Sequence, residues 1–291
     1  MNKALDFLKK NENAFGDGML DNPILITLVE KFVFSGMDTF ELSRKVKNLD
    51  DFFCRVHLRF ASQDSEQPDY LLQTGLKLIK FTNNLNMIPG VRINVSELFE
   101  LFSGIPADAF SAIATGVDLR KNWQESRFKI WLELHNNPQI INMILEKYSS
   151  NKDINRMSLG KEITLSFNFH YDNTCWVKLY YPIFNFKFDK EKQEHYKKFF
   201  TKKIIDGFYF SDFCYISFPT NTNRFIYFGY NKGIPDILKV LGINVTEHSG
   251  ITFQGQFPYG IGCFEDYILN PETGQKEFNY YYNFSHIIRM N

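Results

Sequence analysis

Over residues 127–135 polar and apolar side chains alternate. Arg127, Lys129, Trp131, Glu133 and His135 share one parity, and Phe128, Ile130, Leu132 and Leu134 share the other. Successive side chains of a strand point to opposite faces, so the segment predicts a strand with one apolar face and one polar, cation-rich face. A strand whose polar face lies in water shows the same alternation. Other segments repeat it. Arg55, His57 and Arg59 oppose Cys54, Val56, Leu58 and Phe60. Ser166, Asn168 and His170 oppose Leu165, Phe167 and Phe169, while Trp176, Lys178 and Tyr180 oppose Val177 and Leu179.

Helical spacing separates these strands. Residues 5–34 read as mostly helical with a break at 16–23, and a hairpin of strands 39–46 and 53–60 follows around a polar turn at 48–51. A helix runs from Pro68 to Phe81, and Ser96 is placed to cap a short helix over 97–102. Strands are expected at 109–119 and 126–135, a helix from Pro138, and a second hairpin at 162–171 and 174–181 around Asp172-Asn173. A charged helix over 189–205 leads to strands 208–218 and 224–230, a short helix over 235–241, and final strands over 262–268 and 278–284. Antiparallel hairpins interleaved with helices predict an α+β fold. Closing about ten such strands into an antiparallel barrel ringed by helices would remove the edges and enclose a polar lumen. We expect a single domain over residues 1–291.

Charge and composition narrow the function. With 33 basic and 33 acidic residues, the chain has no bulk electrostatic footprint for nucleic acid or membrane. Cys54, Cys175, Cys214 and Cys263 are widely separated and suggest neither a zinc site nor a disulfide framework. Residues 1–7 lack the apolar region of a signal peptide, and no apolar run approaches bilayer length, so a cytoplasmic protein is expected. No GxGxxG, P-loop, HExxH or GxSxG motif occurs, and the histidines lack metal-ligand spacing.

Arg55, Arg127, Lys129, Lys178 and Arg224 would bring cations from several strands into one interior. Like charges in a low-dielectric space are costly unless an anion joins them, and a phosphorylated ligand is the usual solution. Tyr180, Tyr227, Tyr230, Tyr280, Tyr281 and Tyr282 would stand around them, donating hydrogen bonds or offering π faces. In the competing reading, the cations face solvent and the tyrosines are core aromatics.

Four stretches carry a family resemblance: Phe7-Leu-Lys-Lys-Asn-Glu-Asn-Ala-Phe15, Ile88-Pro-Gly-Val-Arg-Ile-Asn94, Thr115-Gly-Val-Asp-Leu-Arg-Lys-Asn-Trp-Gln-Glu-Ser-Arg-Phe-Lys129 and Phe278-Asn-Tyr-Tyr-Tyr282. In order and spacing the chain resembles the cyanobactin peptide prenyltransferases, through most of its length but weakly in the central third. The resemblance implies an ABBA prenyltransferase barrel. It also implies transfer of an isoprenyl group from an allylic diphosphate to a peptide, often a macrocycle, with Mg2+ bound through the donor. Residue by residue it implies Glu41 as the catalytic acid, Arg55 and Lys129 as diphosphate ligands with Lys178 and Tyr180 beside them, and Tyr280 and Tyr282 as the isoprenyl shield; the lumen reading adds Arg224 to the diphosphate set and Tyr227 to the shield. Cys214 falls at a position implied to limit donor length, so dimethylallyl diphosphate is the default donor and geranyl diphosphate an alternative. Trp131, Glu133 and Asp212 are the acceptor-binding candidates. The acceptor expected first is a peptide Tyr or Trp; Glu133 and Asp212 together in the lumen would instead suit a guanidinium and make it Arg. A linear or cyclic peptide partner and a monomer are expected, with no nucleic acid or membrane. The rival classes are a non-catalytic barrel that binds a phosphorylated or isoprenoid ligand and a structural helper that binds no donor.

Overall fold

In the computed structural model ten antiparallel strands close on themselves. The structure describes residues 3–12, 18–33, 36–47, 51–61, 69–149, 161–217, 223–229, 233–244, 252 and 256–289. The expected turn residues 48–50, Pro68 and Tyr230 lie outside them. The strands are β1 (Thr39–Lys47), β2 (Asp51–Ala61), β3 (Phe110–Leu119), β4 (Arg127–His135), β5 (Glu162–His170), β6 (Cys175–Phe184), β7 (Phe213–Ser217), β8 (Arg224–Phe228), β9 (Gly260–Phe264) and β10 (Glu277–Asn283). Each pairs with its neighbours in sequence, and β1 pairs with β10 through Ser43 opposite Tyr281 to complete the ring. Closure leaves no edge strand exposed. The expected α+β fold, a closed antiparallel barrel of ten strands ringed by helices, is the observed one.

Alternation explains the layering. On β4, Phe128, Ile130, Leu132 and Leu134 are buried against the outer helices, and Lys129, Trp131 and Glu133 are buried too, facing inward. The polar face of this strand therefore lies in a lumen and not in water. Most of the hydrophobic core is the shell between barrel and helices, and a separate small cluster sits inside the barrel around Ile226, Phe228 and Tyr281. Each fully buried Leu, Ile or Phe of the shell contributes about 1.5–3 kcal/mol.

The helices are α1 (Lys3–Lys10), α2 (Pro23–Phe32), α3 (Tyr70–Asn84), α4 (Ser96–Ser103), α5 (Pro138–Tyr148), α6 (Lys190–Tyr196), α7 (Lys202–Phe210), α8 (Ile234–Val240), α9 (Glu265–Leu269) and α10 (Ser285–Arg289). Helix α2 starts where the Asn22 side chain accepts from the Ile24 and Leu25 N–H groups with Pro23 at its first position, and α5 is capped in the same way by Asn137. None of the described helices is long and apolar enough to cross a membrane.

Some boundaries differ from expectation. The charged segment forms two helices, and α7 extends through Phe208–Phe210, residues expected in a strand. Ile204, Ile205 and Phe208 are buried at helical spacing, so the outer shell favours the helix there. Ser96 is the first residue of α4 and does not cap it; the Asn94 side chain accepts from the Ser96 N–H group. The strand expected over 262–268 ends at Phe264, where α9 takes over.

Gly116 sits in the middle of β3, paired with His57 on one side and Lys129 on the other. A Cβ there would fall inside the contact distance of the Val56 carbonyl oxygen, so glycine lets β2 approach closely at this point. Gly116→Ala should lower stability by about 1–3 kcal/mol, read as a fall in melting temperature; an unchanged melting temperature would mean that the strands part there at no cost.

Candidate active site

The lumen is divided into two chambers that share Arg55, Tyr180, Ile226 and Tyr281. The smaller, of about 90 Å³, is cationic. Lys45, Arg55, Arg120, Arg127, Lys129, Lys178 and Arg224 line it, and Asp118 is the carboxylate among its described lining residues. Asp118 sits on β3 and is shared three ways. One oxygen accepts from Arg55 Nε, and the other lies 2.6 Å from Lys129 Nζ and 3.3 Å from Arg127 Nη2. Burial alone would raise the Asp118 pKa, but Arg55, Lys129 and Arg127 hold it well below the usual carboxylate range. Glu277 balances the opposite wall, at 2.9 Å from both Lys45 and Arg224. Burial, Arg224 and Arg55 push Lys178 down to about 8. Arg224 keeps Nε and Nη2 buried without a hydrogen-bond partner. Guanidinium groups with buried, unanswered donors suit an anion with several oxygens.

The larger chamber, of about 300 Å³, is mainly aromatic. Trp131, Phe213, Tyr215, Phe228 and Tyr259 line it together with the four shared residues. Phe213 and Phe228 stack at 4.4 Å, and Phe228 lies 5.3 Å from Tyr281. Glu41 enters from β1, where its register opposite His57 turns it inward. Its carboxylate accepts from the Tyr259 hydroxyl and lies 3.8 Å from His57 Nδ1. Burial pushes the Glu41 carboxyl up to about 7, with the Tyr259 bond and Arg55 restraining the rise. Burial and then the neighbouring Arg55 and Arg59 push His57 down to about 3, so it is neutral near pH 7. Its ring meets Trp131 edge to face at 4.8 Å, and the Arg55 guanidinium lies 5.5 Å over the same indole.

Ten of the residues singled out as site candidates in the sequence therefore converge on the lumen: Glu41, Arg55, Arg127, Lys129, Trp131, Glu133, Lys178, Tyr180, Arg224 and Tyr281. Others do not. Tyr227, Tyr280, Tyr282 and Cys214 are buried in the outer shell, with Tyr227 against Phe208 and Phe225, Tyr280 against Phe278, and Tyr282 against Phe284. Strand parity requires this. Arg224 cannot face inward together with Tyr227 three residues on, and Tyr281 shares the inward parity of Asn279. The luminal aromatics are instead Tyr180, Tyr215, Tyr259 and Tyr281 with Trp131, Phe184, Phe213 and Phe228. The parity of Glu277, Asn279 and Tyr281 was a readable signal for β10. Tyr259 and Asp118, the first just ahead of a short strand and the second in an apolar one, carried none.

Glu133 does reach the larger chamber, but Arg59 already holds it with two hydrogen bonds of 3.0 and 2.8 Å, and Arg59 also bonds Asp38 at 2.8 Å. Asp212 precedes β7, donates its backbone N–H to Phe228 and lines neither chamber. The pair invoked for a guanidinium acceptor is therefore not assembled.

A family model described as a family of unknown function, DUF5838, matches residues 2–256. The chain belongs to DUF5838. No curated protein sequence matches this DUF5838 chain. Solved structures share its fold. A 5-dimethylallyl tryptophan synthase from Streptomyces coelicolor in complex with DMASPP and Trp superposes with TM-score 0.55 at 11% identity, covering 99% of this chain and 90% of that one. A second structure of the enzyme from that organism gives 0.53 at 12% identity, over 99% and 93%. A 6-dimethylallyltryptophan synthase from Micromonospora olivasterospora, also with DMASPP and Trp, gives 0.51 at 11% identity over 84% and 82%. The shared barrel is the one inferred from alternation.

The raised Glu41 pKa has a consequence for stability. The folded protein binds this proton more tightly than the unfolded chain, so between pH 4.5 and about 7 stability falls as the pH rises. Above that window the buried carboxylate costs on the order of 3 kcal/mol. Glu41→Gln should therefore melt at a higher temperature than the parent at pH 8 and lose the advantage at pH 4; a variant less stable at both would contradict the assigned environment.

Proposed function

We propose that this protein is a prenyltransferase that moves a dimethylallyl group from its diphosphate to an aromatic ring of a peptide, as in cyanobactin biosynthesis. The observation that carries this reading is the division of one lumen into a cationic chamber and an aromatic chamber that holds a carboxyl titrating near neutrality. Two of the solved barrels of the same fold contain DMASPP and Trp, which supports an allylic diphosphate donor and an aromatic acceptor.

In this reading Arg55, Lys129, Lys178 and Arg224 bind the diphosphate and receive its charge as the allylic carbon–oxygen bond breaks. The leaving diphosphate takes the bonding electron pair. The allylic cation is then held at the waist of the lumen by Tyr180 and Tyr281, whose π faces stabilise it while the aromatic wall excludes water. The acceptor ring attacks the cation, and the proton it loses passes to the Glu41 carboxylate. Tyr259 orients that carboxylate, and neutral His57 adds no competing positive charge beside it.

The peptide assignment draws on Arg59. Apart from Arg55, it is the cation among the described residues that line the aromatic chamber, and Glu133 and Asp38 already engage it. A free amino acid would bring a carboxylate to a chamber whose two described arginines are committed, Arg55 to the diphosphate and Arg59 to Glu133 and Asp38, whereas a ring within a peptide, linear or macrocyclic, brings none. Tyr or Trp is the acceptor that this chamber suits; arginine loses its support with Glu133 and Asp212. The residues do not fit a protein-held Mg2+. Among the described residues no group of three or more His, Cys, Asp or Glu side chains could hold a metal, and Asp118 and Glu277 are engaged by cations. Mg2+ would therefore enter with the donor, held by its diphosphate, where it would neutralise part of the leaving-group charge.

Mass spectrometry of peptides containing Tyr, Trp, Arg or His, incubated with five- and ten-carbon donors, tests the assignment. A prenyl mass increment on Tyr or Trp is expected. Donor binding without any modified peptide would favour the non-catalytic barrel. Glu41→Gln should lower kcat/KM by about 10²-fold or more, and full turnover would remove Glu41 from its role. In the parent, kcat/KM should fall below about pH 7 as Glu41 takes up a proton and above about pH 8 as Lys178 loses one; a profile flat across both limbs would contradict these assignments.

A further inference from the structure

Asp118 occupies the centre of the cationic chamber without a part in the chemistry proposed above. Its side chain is 9% exposed, and its two oxygens gather Arg55, Lys129 and Arg127 from two strands, β2 and β4, on either side of its own. Two of those cations, Arg55 and Lys129, are among the four assigned to the donor diphosphate. A carboxylate that answers three cations with two oxygens offers the same chemistry as the edge of a phosphate group. Seven basic side chains line the chamber with Asp118 as the carboxylate among the described lining residues, and Glu277, behind the opposite wall, is occupied with Lys45 and Arg224. Without Asp118, Arg55, Arg127 and Lys129 would repel one another with no nearby anion. With Asp118 in place, an arriving diphosphate must share those donors with a negative charge already among them.

We propose that Asp118 is a built-in counter-anion: it stands in for the diphosphate of the donor before binding, keeps Arg55, Lys129 and Arg127 in place, and weakens the grip on the diphosphate so that it can leave. The proposal rests on the reading of this chamber as the diphosphate site. A group that stabilises the unbound state more than the bound state lowers affinity by that difference. Asp118 is thus a positioning residue, and it tunes product release. Its removal should tighten binding while it loosens the fold, whereas a residue important only for structure would not tighten binding.

The probe is inorganic diphosphate, followed by titration calorimetry and thermal melting on the full chain. Asp118→Asn keeps the shape and an oxygen to accept from Arg55 while it removes the charge. Relative to the parent, the variant should melt lower without diphosphate, gain more in melting temperature when diphosphate is added, and bind it roughly tenfold or more tightly. Leu78→Ala, which opens a void in the outer shell on α3, serves as the control and should melt lower with unchanged diphosphate affinity. If the parent binds diphosphate and Asp118→Asn binds it equally or more weakly, the counter-anion role is overturned and the diphosphate site stands. If neither binds, the diphosphate reading fails and the counter-anion role fails with it. If Asp118→Asn does not fold alone, refolding in diphosphate supports the proposal, and failure of diphosphate to restore the fold overturns it.

Discussion

Basic side chains can crowd into a buried chamber only while carboxylates balance them and the surrounding backbone cannot spread. Here Asp118 and Glu277 supply the balance, and a closed ring of ten strands supplies the restraint. An open sheet with the same side chains would relieve the repulsion by splaying or by turning the cations to water. The positive excess that remains is the property on which the proposed donor site depends. It is held in place by the hydrophobic shell outside the barrel together with the Asp118 and Glu277 contacts within the lumen.

The same cations shape the neighbouring chamber. Arg55 lies at the waist, where it leans over Trp131 and reaches Asp118, and its field helps to keep His57 neutral and restrains the rise of Glu41. The electrostatics of the two chambers are therefore coupled through one side chain. Arg59, Glu133 and Asp38 form a self-contained network farther along β2 and β4, so the aromatic chamber carries little uncompensated charge apart from Glu41. That combination suits a nearly neutral aromatic guest beside a single carboxyl group.

Alternation along β2, β4, β5 and β6 was legible in the sequence because the period of two belongs to the backbone itself. It placed Arg55, Lys129, Lys178 and Tyr180 on inward faces correctly. The misassignments arose where aromatics run without interruption. In residues 280–282 and 225–228 both faces are apolar, one packing on helices and the other on the lumen, so hydrophobicity cannot distinguish them. Anchoring those runs to Asn279 and Arg224 would have resolved the register. The end of helix α7, residues 208–210, was read as strand for a related reason, since an apolar aromatic segment reads equally well as either.

By itself, the sequence determined which side chains of each strand share a face, that antiparallel pairs alternate with helices, and that several cations need a common counter-anion. These are local properties of backbone geometry and charge. Only the tertiary structure decided which faces point into the same lumen, that Asp118 lies among Arg55, Arg127 and Lys129, and that the Tyr259 hydroxyl reaches Glu41 across 218 positions. Those contacts depend on inter-strand register and on the closure of β1 onto β10. No local pattern encodes either, because both are set by the packing of the whole ring.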